Sequence, residues 1–90
     1  MVANATLEQS MKISTAVAMR ISKLLHERGI SQYRFERDNA IPHNTMKTIM
    51  SEKNSSVNLK TVMQFARGFN MTVSEFFNDP VFENPDLEIE

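Results

Sequence analysis

The apolar residues of this 90-residue chain recur at helical spacing from about residue 13 onward. Between Ile13 and Arg28 they fall on one face, which predicts a first helix. Gly29 follows directly, and glycine favours the left-handed conformation that often ends a helix. The apolar face is predicted to hold Ile13, Val17, Ile21, Leu24 and Leu25. The charged residues predicted outside this face are Arg20, Lys23, Glu27 and Arg28.

Two short helices are predicted next, separated by a tight turn. Ser31 is a suitable cap for the second helix, Gln32 to Asp38, in which Phe35 is the best core residue. Asn39 to Ile41 then form a connection of about three residues before Pro42, which fits at or near the first position of a helix. Because so short a connection forces the helices to cross steeply, the pair has the geometry of a helix-turn-helix.

The third helix, predicted from Pro42 to about Met50 or Ser51, combines an apolar back with a polar front. A helix that enters the DNA major groove needs this combination, with hydrogen-bonding groups on short side chains near its N-terminus. The back is formed by Met46 and Ile49, and the front by His43, Asn44, Thr45, Lys47 and Thr48. The alternative is an ordinary surface helix whose polar residues face only water.

Two more helices are predicted after a polar loop at residues 51–56. Asn58 can cap the fourth helix, and Asn70 takes the left-handed position after it. Its apolar stripe is predicted to be Leu59, Val62, Phe65, Ala66 and Phe69. Thr72 and Glu75 form a capping box that opens the fifth helix, and the Asp79-Pro80 pair ends it. The inward-facing residues of this helix are predicted to be Val73, Phe76 and Phe77.

The chain is therefore predicted to be an all-α domain with five helices over residues 13–79. Residues 1–12 would form an N-terminal extension, which is helical if Thr6 and Gln9 make a capping box and flexible otherwise. Residues 80–90 are acidic, contain two prolines and are predicted to form an irregular C-terminal tail.

Charge is distributed unevenly along the chain, although the net charge is only −1. Residues 1–67 hold all ten basic residues and five acidic ones, whereas residues 68–90 hold six acidic residues and no basic one. A basic body with an acidic tail is typical of proteins that bind polyanions. A chance distribution of solvated charges would give the same layout, so charge alone does not decide the function.

No pattern of catalytic or metal-binding residues is present in the sequence. The chain has two histidines and no cysteine, and it lacks a glycine-rich phosphate loop and a nucleophile elbow. We therefore expect no enzyme activity, no cofactor and no metal. A continuous apolar stretch of about 18 residues and the layout of a signal peptide are also absent. We expect a cytoplasmic, nucleoid-associated protein that does not contact a membrane.

Two longer motifs resemble the helix-turn-helix domain of phage repressors and Cro proteins, the XRE family. "GISQYRF…AIPHNTMKTIM" resembles the family's Gly-apolar-Ser/Thr-Gln opening and the apolar-Pro-x-x-Thr start of its reading helix. "NLKTVMQFARGFNMTVSEFF" resembles the two helices that usually follow. The resemblance covers residues 17–77, about two-thirds of the chain, and its specificity lies in the order and spacing of the pieces. It implies a lambda-repressor-like DNA-binding domain in a bacterial or prophage regulator.

The resemblance also implies roles for individual residues. The positions that would contact base edges are His43, Asn44 and Thr48. The positions that would contact the DNA backbone are Gln32, Thr45, Lys47, Lys53, Asn54 and Ser55. The positions that match the family's core are Phe35, Ile41, Met46 and Ile49.

Three residues of the turn region differ from the family pattern. Glu36 occupies the position at the helix crossing where the family usually has a small residue. We expect its carboxylate to lean to the rim or to find donors, such as N–H groups in the first turn of the third helix. Asn39 replaces an apolar residue and Ala40 replaces the turn glycine. Since asparagine tolerates the left-handed conformation, we expect Asn39 to adopt it.

These observations favour a sequence-specific regulator that binds double-stranded DNA as a homodimer. The dimer surface would be either the fifth helix with the tail (Phe76, Phe77, Val81 and Phe82) or the N-terminal segment. The alternative is an antitoxin or another protein-interaction module whose acidic tail occupies a basic partner. A helix-turn-helix protein that no longer binds DNA is a third hypothesis.

Overall fold

A computed structural model describes residues 11–51 and 56–89. Across these residues five α-helices follow one another: α1 (Ile13–Arg28), α2 (Gln32–Asp38), α3 (His43–Met50), α4 (Leu59–Gly68) and α5 (Val73–Phe76). A short 3-10 helix, Pro80–Phe82, follows α5. Two strands of two residues each, β1 (Met11–Lys12) and β2 (Leu87–Glu88), lie near the ends of the described chain. The predicted all-α fold, with its helix-turn-helix formed by α2 and α3, is confirmed.

Side-chain caps set the starts of three helices, as predicted. The hydroxyl of Ser31 accepts a hydrogen bond in the first turn of α2, and the amide oxygen of Asn58 does the same for α4. Thr72 and Glu75 form the reciprocal capping box of α5, with distances of 3.0 and 2.8 Å. Each cap satisfies a backbone N–H group that has no partner inside the helix, which is why these residues fix the boundaries.

The core lies where α2, α4 and the end of α5 meet α1 and α3. The Phe35 ring stacks on Phe65 and Phe69, with centroid separations of 5.6 and 4.4 Å. A Cβ atom at Gly68 would lie 2.6 Å from a ring carbon of Phe35, so the glycine lets α4 approach α2 closely. The predicted core positions Phe35, Ile41, Met46 and Ile49 are all buried. Leu59 was assigned to the stripe of α4 and is instead 65% exposed, because it lies at the first position of that helix.

Arg20 is buried rather than exposed, and this is the largest departure from the predicted pattern of α1. Its guanidinium donates to the carbonyl oxygens of Phe76 and Glu75 at 2.7 and 3.1 Å. It also donates to the carboxylate of Asp79 at 3.2 Å, which Lys23 reaches at 2.9 Å. Because the end of α5 supplies these acceptors, the charge can be buried without losing its hydrogen bonds. We call Arg20, Lys23 and Asp79 the latch.

The turn between α2 and α3 uses Ala40, and not Asn39, as its left-handed residue. Ala40 has φ 53°, whereas Asn39 has φ −118°. The prediction for Asn39 was therefore wrong, and its side-chain amide donates instead to the carbonyl oxygen of Phe35 at 3.0 Å. The other two helix ends follow the prediction, since Gly29 and Asn70 have φ 64° and 61°.

The C-terminal segment is partly ordered by contacts with the rest of the domain. The side chain of Asp79 caps the 3-10 helix, and the ring of Phe82 packs edge-on against Phe77 with centroids 4.8 Å apart. Strand β2 then pairs in parallel with β1. The prediction of an irregular tail was therefore wrong for Pro80–Phe82 and Leu87–Glu88, because Asp79 and these apolar rings hold the segment against the domain. The predicted capping box of Thr6 and Gln9 lies outside the described residues.

Candidate nucleic-acid interface

Helix α3 has one buried face and one exposed polar face. Met46 and Ile49 are 0% and 5% exposed, and they fix the helix against the core. Thr45 is half-buried beside them. The exposed side chains of this helix are His43, Asn44, Lys47 and Thr48. The apolar spacing therefore fixes which side chains face solvent, and these include all three residues predicted to contact bases.

A concave surface of about 410 Å³ lies between α3 and the start of α4. Asn44, Thr45 and Thr48 line it from the side of α3. Its other side is formed by the segment that leads into α4, with Ser56, Val57, Asn58 and Thr61. Two predicted base-contacting residues thus share one surface with a predicted backbone-contacting residue. Lys53, Asn54 and Ser55, the other backbone-contacting residues predicted after α3, lie outside the described residues.

The N-terminus of helix α2 is exposed. Gln32 is exposed and directly follows the cap residue Ser31. Along the outer face of α2, Arg34 and Arg37 lie 3.5 and 3.4 Å from the carboxylate of Asp38. These side chains are at least half exposed, so the ion pairs add little to stability.

Glu36 and His43 form a contact across the turn that joins α2 to α3. Nδ1 of His43 lies 3.0 and 3.2 Å from the two carboxylate oxygens of Glu36. The Glu36 side chain is 9% exposed and that of His43 is 74% exposed. The carboxylate has thus found a partner in the first residue of α3. That partner is an imidazole ring, whereas the backbone N–H groups of this turn were the example we gave of possible donors.

The exposed side chains of α3 offer several kinds of hydrogen bond to a nucleic acid. The amide of Asn44 can donate and accept together, which suits the N6/N7 edge of adenine. Thr48 offers a hydroxyl and a methyl group, and Lys47 offers a positive charge to a phosphate. Sequence reasoning had left the partner of Glu36 open. In the sequence, the signal for this partner was a histidine directly after Pro42, just past the short turn.

The fold and the surface of α3 together define a DNA-binding domain of the helix-turn-helix class. A family model described as the Cro/C1-type HTH DNA-binding domain matches residues 20–80. The chain belongs to this family, whose members are in general not enzymes. No curated protein and no solved structure matches the chain. Within residues 11–51 and 56–89, no helix is long and apolar enough to span a membrane.

Proposed function

We propose that the protein is a transcriptional regulator that binds specific sequences of double-stranded DNA, with α3 in the major groove. The observation that carries this proposal is the division of α3 into a buried apolar back and an exposed polar front. A helix held in this way after a tight turn can present short polar side chains to base edges. The family match supports DNA binding in general, and the surface of α3 supports this particular use of the helix.

Two kinds of contact are proposed for the side chains around α3. The residues proposed to contact bases are His43, Asn44 and Thr48. The residues proposed to contact the DNA backbone are Gln32, Thr45, Lys47, Lys53, Asn54 and Ser55. The position of Thr45 supports a contact beside the bases, since it is half-buried and lines the same concave surface as Asn44 and Thr48. Phosphate contacts would set the register, and base contacts would set the sequence.

A homodimer on two half-sites is part of the proposal. A single domain of this size buries little surface on DNA, so specific affinity is normally reached by a pair of domains. The aromatic residues predicted for a dimer surface, at and after the end of α5, already make contacts within the domain. Phe76 is fully buried in the core, and Phe77 and Phe82 already pack against each other. Selected DNA sites with two inverted half-sites about one helical turn apart would be the expected signature of the dimer.

The proposed function is tested by selecting bound duplexes from a random DNA pool. We expect a defined motif, and recovery of no preferred sequence at moderate salt would contradict the proposal. Asn44→Ala should relax one base position at a cost of about 1–3 kcal/mol. Lys47→Ala should weaken all sequences alike and reduce the salt slope by about one. Lys23→Ala is the matched control, because it removes the same charge from a side chain bound to Asp79.

The antitoxin hypothesis is the alternative to a regulator that acts alone. Glu83 and Asp86 are exposed, as contact with a basic partner would require. A solvated acidic surface has the same appearance, so the regulator is the function we put forward. A small toxin-like reading frame next to this gene, whose product binds the chain, would favour the alternative.

A further inference from the structure

Glu36 is not part of the proposed DNA interface, but its contact with His43 gives it a role there. We propose that Glu36 is a positioning residue that determines specificity through His43. It holds the imidazole by Nδ1 and so presents Nε2 to the major groove as a hydrogen-bond acceptor. This inference rests on the proposed function, because it concerns how one side chain of α3 contacts a base.

Glu36 is itself held firmly, so it can fix the position of a neighbour. It lies in the last turns of α2 at 7% exposure, and its backbone carbonyl accepts the N–H of Ile41 at 2.9 Å. Both of its carboxylate oxygens are within hydrogen-bonding distance of Nδ1 of His43. A side chain buried to this extent has few alternative rotamers. Its contact with the His43 ring therefore limits the rotation of that ring as well.

The contact also selects which ring nitrogen carries the proton. An ionised carboxylate only accepts hydrogen bonds, so Nδ1 must donate. In the neutral ring the proton is then on Nδ1, and Nε2 is left with a lone pair. The two nitrogens point in widely different directions, and the His43 side chain is 74% exposed. Nε2 is therefore the nitrogen available to a ligand in front of α3.

An acceptor in the major groove selects bases by their exocyclic amino groups. Adenine presents N6 and cytosine presents N4, whereas guanine and thymine present carbonyl oxygens at the equivalent edge. We therefore assign to neutral His43 a preference for adenine or cytosine at one position of each half-site. Without Glu36 the ring could rotate or take the other tautomer, in which Nε2 donates and the preference is lost.

The location of its partner distinguishes Glu36 from a carboxylate that only stabilises the fold. A carboxylate that serves only the fold gains most from donors that are buried with it. Among the described residues, the side-chain hydrogen bonds of Glu36 run to an exposed ring at the start of the proposed reading helix. The carboxylate therefore acts on a side chain of the exposed surface of α3.

The test compares two substitutions of nearly equal size, Glu36→Gln and Glu36→Met. The glutamine oxygen can still accept from Nδ1, whereas the methionine side chain offers no strong acceptor. Bound sequences are selected from a random duplex pool at pH 8.5, where an imidazole is ordinarily neutral. His43→Ala identifies the base position that depends on the ring. Asp79→Asn is the matched control, since it alters a buried carboxylate whose ion-pair partners are Arg20 and Lys23 rather than His43.

We expect wild type and Glu36→Gln to prefer adenine or cytosine at that position by about 2- to 13-fold, the range for a single hydrogen bond. Glu36→Met should lose the preference to the same extent as His43→Ala and keep the rest of the motif. Asp79→Asn should keep the whole motif.

Three outcomes would each overturn the inference. Glu36→Met could keep the preference, Glu36→Gln and Glu36→Met could lose it equally, or the wild type could prefer guanine or thymine. A wild-type motif with no position that depends on His43 would overturn it too and leave the proposed function standing. A pool with no preferred sequence would instead overturn the proposed function.

A measurement without DNA tests the same inference independently. The nitrogen chemical shifts of the His43 ring report which nitrogen carries the proton. At pH 8.5 we expect the proton on Nδ1 in wild type and Glu36→Gln, and a mixture of both tautomers in Glu36→Met. A wild-type ring with its proton on Nε2 would overturn the inference. Because this readout needs only folded protein, its outcome is separate from any failure of DNA binding.

Discussion

Asp79 and Glu36 are both buried carboxylates, but their partners lie in very different surroundings. Asp79 accepts from Arg20, Lys23 and the backbone N–H of Val81, and the Arg20 side chain is only 8% exposed, while that of Lys23 is 51% exposed. Glu36 accepts from His43, which is 74% exposed. The first carboxylate joins parts of the fold to one another. The second joins the fold to a side chain on the surface of α3.

This difference separates a stabilising contact from a contact that prepares a ligand site. In the latch, each of the three guanidinium nitrogens of Arg20 donates to an acceptor from α5 or to Asp79, so its hydrogen bonds are made within the fold. At the turn, the imidazole uses one nitrogen for Glu36 and keeps the other for solvent or a ligand. We therefore expect changes in the latch to alter stability, and changes at the turn to alter specificity.

The largest expected effect on stability is that of Asp79→Ala. Removing one partner of a buried ion pair leaves a buried charge uncompensated, which typically costs about 3–5 kcal/mol. Arg20 keeps its two carbonyl acceptors, so we expect about 3 kcal/mol, near the lower end of that range. Urea unfolding measures the loss. The selected DNA motif should be unchanged at a temperature where the variant is folded, and a changed motif would break the comparison.

The hydrogen bonds and ion pairs of Asp79 should also make the stability of the fold depend on pH. The backbone N–H of Val81 lowers the pKa of Asp79 below its ordinary value of 3.8, with further lowering by Lys23 and Arg20, while burial acts in the opposite direction. A lowered pKa in the folded state means that the ionised carboxylate stabilises the fold. This contribution is complete above about pH 4 and is lost as the pH falls through the lower pKa of the folded state.

Asp79→Asn provides the measurement for this pH effect. The urea midpoint of wild type minus that of Asp79→Asn should be constant between pH 5 and 7 and should shrink below pH 4. A difference that stays constant down to pH 2 would show that the carboxylate titrates alike in the folded and unfolded chains.

The sequence predicted those features that depend on residues close together along the chain. The caps at Ser31, Asn58 and Thr72 each involve a partner three residues away, so spacing alone could identify them. The buried positions of α3 followed from its apolar period in the same way. These local rules were sufficient to predict the order of the helices and the polar front of the candidate site.

The features that sequence reasoning missed depend on partners or geometry that spacing does not contain. The partners of Arg20 lie 55 to 59 residues away, so a charged residue on α1 looked like an exposed one. The left-handed residue of the turn differs from the prediction by one position, because the turn's geometry selects Ala40 although Asn39 tolerates that conformation better. The partner of Glu36 lies seven residues away across this same turn.

Ala40→Gly tests whether the left-handed backbone of the turn is strained. An L-residue in the left-handed conformation costs roughly 1–2 kcal/mol, and glycine avoids this cost but loses more entropy on folding. We therefore expect a gain of about 1 kcal/mol in the free energy of unfolding, measured in urea. Asn39→Gly is the matched control and should destabilise, because it removes the hydrogen bond to Phe35 at a residue with negative φ. A loss of stability in Ala40→Gly would contradict the prediction.

Glu36→Ala should have the smallest effect on stability, and it is the counterpart of Asp79→Ala. The substitution removes a hydrogen bond to an exposed partner, which is worth about 0.5–1.5 kcal/mol. It also removes the cost of burying a carboxylate and places a better helix former in α2. These terms oppose one another, so we expect the free energy of unfolding to change by less than about 1 kcal/mol. Urea unfolding at pH 7 beside Asp79→Ala measures the contrast. A loss as large as that of Asp79→Ala would show that Glu36 serves the fold as Asp79 does, and the distinction between the two carboxylates would fail.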